Sequence, residues 1–127
     1  RSHWKWIRRA ADNGHVKAQY RLGKKVLDSP AALQAEAVEW LRRSAEGGYH
    51  RAQYLLARCF AKGIGVPRDR VTAYRWMCIA RACGNDRAGL QSEGLSQGLR
   101  ADAIASINLD AIRFNERCSR EKTLKDA

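Results

Sequence analysis

The sequence predicts an all-α fold, an α/α solenoid of antiparallel helix pairs with a C-terminal capping helix. The chain has 127 residues with only two prolines, and it is rich in residues that favour helices. Three residue types recur at spacings of 34 and 36 residues: Trp6, Trp40 and Trp76; Gly14, Gly48 and Gly84; Ala18, Ala52 and Ala88. Periods of this length are typical of stacked helix pairs.

Residues 2–30 form the first predicted repeat. Its first helix covers about residues 2–13 and ends at Gly14, because glycine readily adopts the positive φ that follows many helices. Its second helix covers about residues 16–27. An apolar residue recurs there at every fourth position and gives the helix one buried face: Ala18, Leu22 and Val26.

Residues 31–66 form the second predicted repeat. Ser29 is the expected N-cap of its first helix, and Pro30 suits the first helical position because the missing N–H would be unbonded there. The two helices of this repeat cover about residues 31–46 and 51–62.

Residues 67–98 form the third predicted repeat, which the glycine-rich loop 63–69 precedes. Asp69 is the expected N-cap of its first helix, which covers about residues 70–83. Asp86 is the expected N-cap of its second helix. That helix should be short, because each of its three glycines costs about 1 kcal/mol relative to alanine in a helix interior.

A longer helix over about residues 101–120 ends the predicted fold. Its apolar residues recur every three to four positions: Ile104, Ile107, Ala111, Phe114 and Cys118. A solenoid needs a cover with a polar outer face over its apolar end, and this helix fits that role. We expect residues 121–127 to form a frayed tail. A chain of this length suits one domain, residues 1–127.

The net charge of +11 lies entirely on the repeats. Residues 1–100 contain 19 Lys and Arg and 8 Asp and Glu, whereas residues 101–127 contain five of each. Such an excess indicates an acidic protein partner, a phosphate-bearing surface such as nucleic acid or an anionic membrane, or a role in solubility alone. We favour the acidic protein over nucleic acid and membrane.

Two sets of aromatic and basic residues are candidates for function. The in-register tryptophans Trp6, Trp40 and Trp76 are predicted to lie in the core, whereas Trp4 breaks the register and is expected to be exposed. Basic residues near these tryptophans should align as a stripe on the first-helix side, the usual inner surface of such solenoids. The predicted partner-binding residues are Lys5, Arg8, Arg9, Arg42, Arg43 and Arg75. Cys78 and Ile79 replace the arginine pair in the third copy.

The sequence contains no recognisable catalytic, cofactor-binding or metal-binding motif, so we predict a protein that is not an enzyme. Its histidines are His3, His15 and His50. The cysteines Cys59, Cys78, Cys83 and Cys118 lack metal-ligand spacing. They are either small apolar residues on helix faces or members of one or two disulfides, and spacing does not choose a pairing.

The repeats resemble the Sel1-like repeat, a relative of the tetratricopeptide repeat, over about residues 3–90. The fullest copy has Leu56, Phe60, Gly63, Ile64, Gly65, Val66, Asp69, Ala73, Trp76, Ala80, Gly84 and Ala88. The earlier copies have Trp40, Ser44, Ala45, Gly48, Ala52 and Gln53, and Trp6, Ala10, Ala11, Gly14, His15, Ala18 and Gln19.

The resemblance implies a right-handed α/α superhelix that binds proteins or peptides as an adaptor or regulator. It implies no cofactor. Members of this family also include immunity proteins that neutralise secreted bacterial toxins, which is an alternative function for this chain. Bacterial members are frequently exported, which favours a periplasmic or exported location over the cytoplasm. Because the chain begins with Arg1, the absence of a signal peptide does not bear on this choice.

Overall fold

The structure is a computed structural model that describes residues 2–126, with side chains for residues 4–124. Its α-helices are α1 (Ser2–Asp12), α2 (Val16–Leu27), α3 (Gln34–Glu46), α4 (His50–Lys62), α5 (Arg70–Ala82), α6 (Asp86–Ser96) and α7 (Ala101–Asp126). A 3₁₀ turn, Ala31–Leu33, precedes α3. No strand occurs between residues 2 and 126. Consecutive helices pack from α1 through α6, which confirms the predicted all-α solenoid.

Two apolar clusters fill the space between the helices. The larger cluster extends from α3 to α7 and has fully buried side chains at its centre: Leu41, Leu56, Met77, Cys78 and Ile79. The smaller cluster joins α1, α2 and α3 through Ile7, Ala11, Leu22 and Trp40. Each helix therefore buries one face against its neighbours along the stack.

The same turn joins the helices of each pair. Gly14, Gly48 and Gly84 adopt φ values of 91°, 95° and 95°. The residue after each glycine donates its N–H to a carbonyl five residues earlier, as in a Schellman motif, for example Tyr49 to Ser44 at 3.2 Å. These turns require glycine because an L side chain is strained at such φ values.

The helix starts differ from two of the three predicted caps. Asp69 accepts a hydrogen bond from the Thr72 N–H at 3.1 Å, so that prediction is confirmed. Asp86 is not the cap of α6, since Asn85 accepts from the Ala88 N–H at 3.1 Å. Ser29 does not cap the following helix either, because its hydroxyl is directed back to the Lys25 carbonyl of α2, 3.5 Å away.

The burial of two tryptophans was predicted wrongly. Trp40 and Trp76 are buried, but Trp6 is 69% exposed. The cause is its position, because Trp40 packs against α1 and α2, and no helix pair precedes α1 among residues 2–126. Trp4, which was expected to be exposed, is half-buried instead, and the Lys25 ammonium lies 4.0 Å from the centre of its ring.

Helix α7 packs along α5. The Phe114 ring lies edge-on to the Trp76 ring, with 5.7 Å between centroids, and the Asn115 amide donates to the Ile79 carbonyl at 3.3 Å. The helix continues through Asp126, six residues beyond the expected end. Residues 121–126 contain no glycine or proline to stop it. Of the expected frayed tail, only Ala127 lies outside the described residues.

The loop after α4 gives a test of close backbone packing. Gly63 and Gly65 have nearly equal φ values of 73° and 72°. A Cβ on Gly65 would lie 2.5 Å from the Gln34 carbonyl oxygen, whereas one on Gly63 would make only ordinary contacts with Arg68. We expect Gly63→Ala to lower the free energy of unfolding by about 1–2 kcal/mol, the cost of the left-handed conformation. Gly65→Ala should cost about 1–3 kcal/mol more, because the backbone must also shift.

Urea denaturation of the two variants and the wild type measures this difference. Gly63→Ala is the matched control because it imposes the same backbone strain without the clash. Equal costs for the two variants would contradict the close approach of Gly65 to α3.

The tryptophans give a second test. We expect Trp40→Ala to lower the free energy of unfolding by about 3–5 kcal/mol, because it leaves a cavity between α1, α2 and α3. Trp6→Ala should change it by no more than about 0.5 kcal/mol, as is usual for surface positions. Thermal or urea denaturation monitored by circular dichroism compares the two. A similar cost for both would show that Trp6 is packed in solution.

Candidate functional site

The first-helix side is defined here as the exposed surface of α1, α3 and α5. All six predicted binding residues lie on these helices, three on α1, two on α3 and one on α5. Five of them are exposed and Arg42 is half-buried. The ion pair between Arg8 and Glu36, at 3.5 Å, brings α1 and α3 together on this side.

Carboxylates on α3 engage half of the predicted basic stripe. The Arg42 guanidinium forms ion pairs with Glu39 and with Glu46, the latter at 2.9 Å. The Arg43 guanidinium is 3.4 Å from the same Glu39 carboxylate. By contrast, Lys5 and Arg9 form no ion pair with any residue whose side chain is described.

The α3 ion pairs shift the titration of their members. The hydrogen bonds from Arg42 hold the pKa of the Glu39 carboxyl below its ordinary value of 4.5. The same hydrogen bonds raise the pKa of Arg42. Glu39 therefore stays ionised at neutral pH and occupies donors that a partner would otherwise use.

Aromatic rings position two more arginines on this side. The Arg43 guanidinium lies 4.9 Å from the centre of the Trp40 ring, and that of Arg75 lies 5.6 Å from the centre of the Trp76 ring. Such cation–π contacts hold the guanidinium against the helix while leaving its edge open to a carboxylate.

Helix α7 explains why the arginine pair is absent from the third copy. Cys78 and Ile79, which replace it, are fully buried in the cluster to which α7 contributes its apolar residues. The hydrogen bond from Asn115 to the Ile79 carbonyl shows that α7 lies directly over this position. A charged residue here would be buried, so the predicted stripe can extend only over α1, α3 and the Arg75 region of α5.

A basic groove lies on the other side of the solenoid, where we had predicted no site. It crosses α2, α4 and the start of α6 and has a volume of about 620 Å³. We call it the second-helix groove. Its lining residues are Tyr20, Lys24, His50, Arg51, Tyr54, Leu55, Arg58, Gly84, Asn85, Asp86 and Arg87.

The sequence contains a signal for this groove that we did not use. A basic residue stands three positions after each in-register glycine, at Lys17, Arg51 and Arg87. Tyr20 and Tyr54 are also in register. The repeat text thus indicated a basic and aromatic face on the second helices. What it could not indicate is that the side chains of three helices converge on one groove.

Other kinds of site have less support. No cluster of His, Cys, Asp and Glu in residues 2–126 could hold a metal ion. The four cysteines are free, and burial raises the pKa of the Cys59 thiol to about 11, which keeps this thiol unreactive. No helix between Ser2 and Asp126 is both long enough and apolar enough to cross a membrane.

Comparisons with known proteins agree with this architecture. A Sel1 repeat family model matches residues 4–15, 16–49 and 50–85. The structure is similar to that of a protective antigen with an SLR fold present in uropathogenic Escherichia coli strains, with a TM-score of 0.78 and 28% identity over 93% of this chain. This chain spans only 26% of that antigen.

A Sel1 repeat protein from Oxalobacter formigenes is also similar, with a TM-score of 0.65 and 36% identity. The similarity covers 71% of this chain and 69% of that one. No curated protein matches the chain. Two of the matched units begin at the second helix of a pair, at residues 16 and 50, whereas the unit inferred from the tryptophan spacing begins at the first helix.

The Arg42 ion pairs predict a pH-dependent stability. The pKa of Glu39 is lower in the folded state than in the unfolded state. Its ion pair therefore stabilises the fold fully at pH values above the ordinary carboxyl pKa, and this stabilisation is lost as the pH falls through the lowered folded-state pKa. Both side chains are more than 40% exposed, so we expect Arg42→Gln to cost less than about 1 kcal/mol at neutral pH. The cost should vanish in acid.

Urea denaturation at about pH 7 and at about pH 2 measures this cost. Arg113→Gln is the control, because Arg113 on α7 forms no ion pair with the described side chains. A cost for Arg42→Gln that does not change with pH would mean that lost packing, and not lost pairing, is its cause.

Proposed function

This chain belongs to the Sel1 repeat family, and we propose that it is a non-enzymatic interaction module that binds an acidic protein partner through its first-helix side. Sel1 repeats are generally protein-interaction modules without catalytic activity.

The observation that carries this proposal is the excess of positive charge on the repeats. Residues 1–100 have 19 Lys and Arg against 8 Asp and Glu, a difference of 11. On the first-helix side, the three α3 carboxylates Glu36, Glu39 and Glu46 offset only part of the charge of the six predicted basic residues. A field of this sign accelerates the encounter with an acidic protein and makes it sensitive to salt.

The arrangement of side chains supports different roles for five of the six predicted residues. Lys5 and Arg9 form no ion pair with the described side chains, and we propose that they make the first contacts to a partner. Arg43 and Arg75 lie against tryptophan rings, which reduces the entropy lost when they bind a carboxylate. Arg42 has most of its donors engaged by Glu39 and Glu46, so its proposed role is to organise α3.

Charge reversal on α1 tests the proposal. We expect Arg8→Glu/Arg9→Glu to weaken binding of the acidic partner by about tenfold or more, since two attractive contacts become repulsive. Arg113→Glu/Lys122→Glu on α7 changes the net charge equally, and both of its sites are exposed, so it is the matched control. Affinity capture at about 150 mM salt, with mass spectrometry of the bound proteins, provides the readout.

The captured proteins should carry acidic segments, and raising the salt should release them. Capture that withstands both the α1 reversal and high salt would exclude an acidic partner on the first-helix side. An equal loss of captured protein in the α7 control variant would show that capture depends only on net charge and not on the first-helix side.

A further inference from the structure

We propose that the second-helix groove is a separate binding site that accepts a short, extended, acidic segment of a protein. Its residues lie on α2, α4 and the start of α6, and none of them belongs to the first-helix side. The proposal therefore stands whether or not the first-helix side binds a partner.

The charge of the groove favours an acidic ligand. Four basic side chains line it, Lys24, Arg51, Arg58 and Arg87, and Asp86 is its only carboxylate. None of the four forms an ion pair with a carboxylate among the described side chains. This differs from the first-helix side, where arginines already bind Glu36, Glu39 and Glu46. The groove thus presents guanidinium donors that match carboxylates in geometry and charge.

Contacts among side chains in and beside the groove already organise it. The Tyr20 and Tyr49 rings pack edge-on with centroids 5.3 Å apart, and Tyr49 contacts the His50 ring. The side-chain Nδ2 of Asn85 lies 3.1 Å from the His50 Nδ1. The side-chain Oδ1 of Asn85 caps α6 by accepting the Ala88 N–H. These contacts connect α2, α4 and α6 across the groove. Because the groove is already ordered, its side chains lose little conformational entropy when a ligand binds.

Tyrosine rings also position two of the basic side chains through cation–π contacts. The Lys24 ammonium lies 6.0 Å from the Tyr20 ring centre, and the Arg58 guanidinium lies 5.9 Å from that of Tyr54. Tyrosine and arginine are the residue types that dominate protein-binding sites, because they combine large contact area with directed hydrogen bonds. Leu55 adds an apolar contact for a ligand side chain.

The limited extent of the groove favours a protein segment over nucleic acid. The tyrosine of the first two copies becomes Leu90 in the third, and the basic residue at Lys24 and Arg58 becomes Gly94. The basic and aromatic array therefore stops at the start of α6. A nucleic acid strand gains affinity from a continuous track of phosphate contacts, which this array does not offer. A volume of about 620 Å³ suits a short segment, since ligand pockets usually span about 300–1,000 Å³.

Fluorescence anisotropy with a fluorescein-labelled hexaglutamate peptide tests this site at about 150 mM salt. The groove variant is Arg51→Glu/Arg87→Glu, because both residues are exposed and neither contributes to the core. The matched control is Arg113→Glu/Lys122→Glu, which changes the net charge equally. We expect saturable binding to the wild type, a loss of about tenfold or more in the groove variant, and a change below about twofold in the control.

Several results would overturn the proposal. These are no saturable binding to the wild type, an unchanged affinity in the groove variant, and equal losses in the groove and control variants. A loss with Arg8→Glu/Arg9→Glu as large as that of the groove variant would place the peptide on the first-helix side. A hexathymidine strand that displaces the peptide at lower concentration than unlabelled hexaglutamate would assign the groove to nucleic acid.

Circular dichroism melting of every variant checks that the fold is intact. If Arg51→Glu/Arg87→Glu has a lower melting temperature than the wild type, Arg51→Gln/Arg87→Gln replaces it. That variant should still lower the affinity for the peptide by several fold. An unchanged affinity in that folded variant would also overturn the proposal.

Discussion

The turn between paired helices is the constraint on which the rest of the solenoid depends. A glycine at positive φ ends each first helix, and a hydrogen bond across five residues fixes the start of the second. In the first two copies a buried glutamine reinforces it, as Gln19 donates to the Ala11 carbonyl and Gln53 to the Ala45 carbonyl, both at 3.1 Å. Identical turns give identical registers, so the basic residues that follow them face one side. The charge pattern of the groove is thus a consequence of backbone geometry.

Helix α7 breaks this regularity and thereby determines which surfaces remain free. A regular continuation would place it against α6, as α3 lies against α2 and α5 against α4, but it packs along α5 instead. The apolar Cys78 and Ile79 replace the arginine pair where this helix covers them. The second-helix groove stays open, because no further helix among residues 2–126 packs across α2 and α4 as α7 packs along α5. The difference between the third copy and the first two at these positions therefore follows from where α7 packs.

The sequence was sufficient for features that depend on local contacts and insufficient for those that depend on neighbours far along the chain. The period predicted every helix pair, and the bounds of α2 agree with the expected 16–27 because its apolar face and flanking residues are clear. The register of Trp6 predicted burial, but burial depends on whether another helix pair covers the ring. Glu39 lies within helical reach of both Arg42 and Arg43, and Arg42 makes the closer contacts because its side chain reaches both Glu39 and Glu46. The groove was missed because its residues come from three helices.

The two basic surfaces differ in what a carboxylate must displace. On α3, a ligand that binds Arg42 has to replace Glu39 and Glu46, so each new ion pair is formed at the expense of an existing one. In the groove, the guanidinium groups of Arg51, Arg58 and Arg87 have no ion pair to break among the described side chains, and the Tyr54 ring already restricts the half-buried Arg58. Equal numbers of positive charges therefore do not give equal binding free energies. In the two proposals, the first-helix side attracts an acidic protein over a distance, whereas the groove holds an acidic segment in contact.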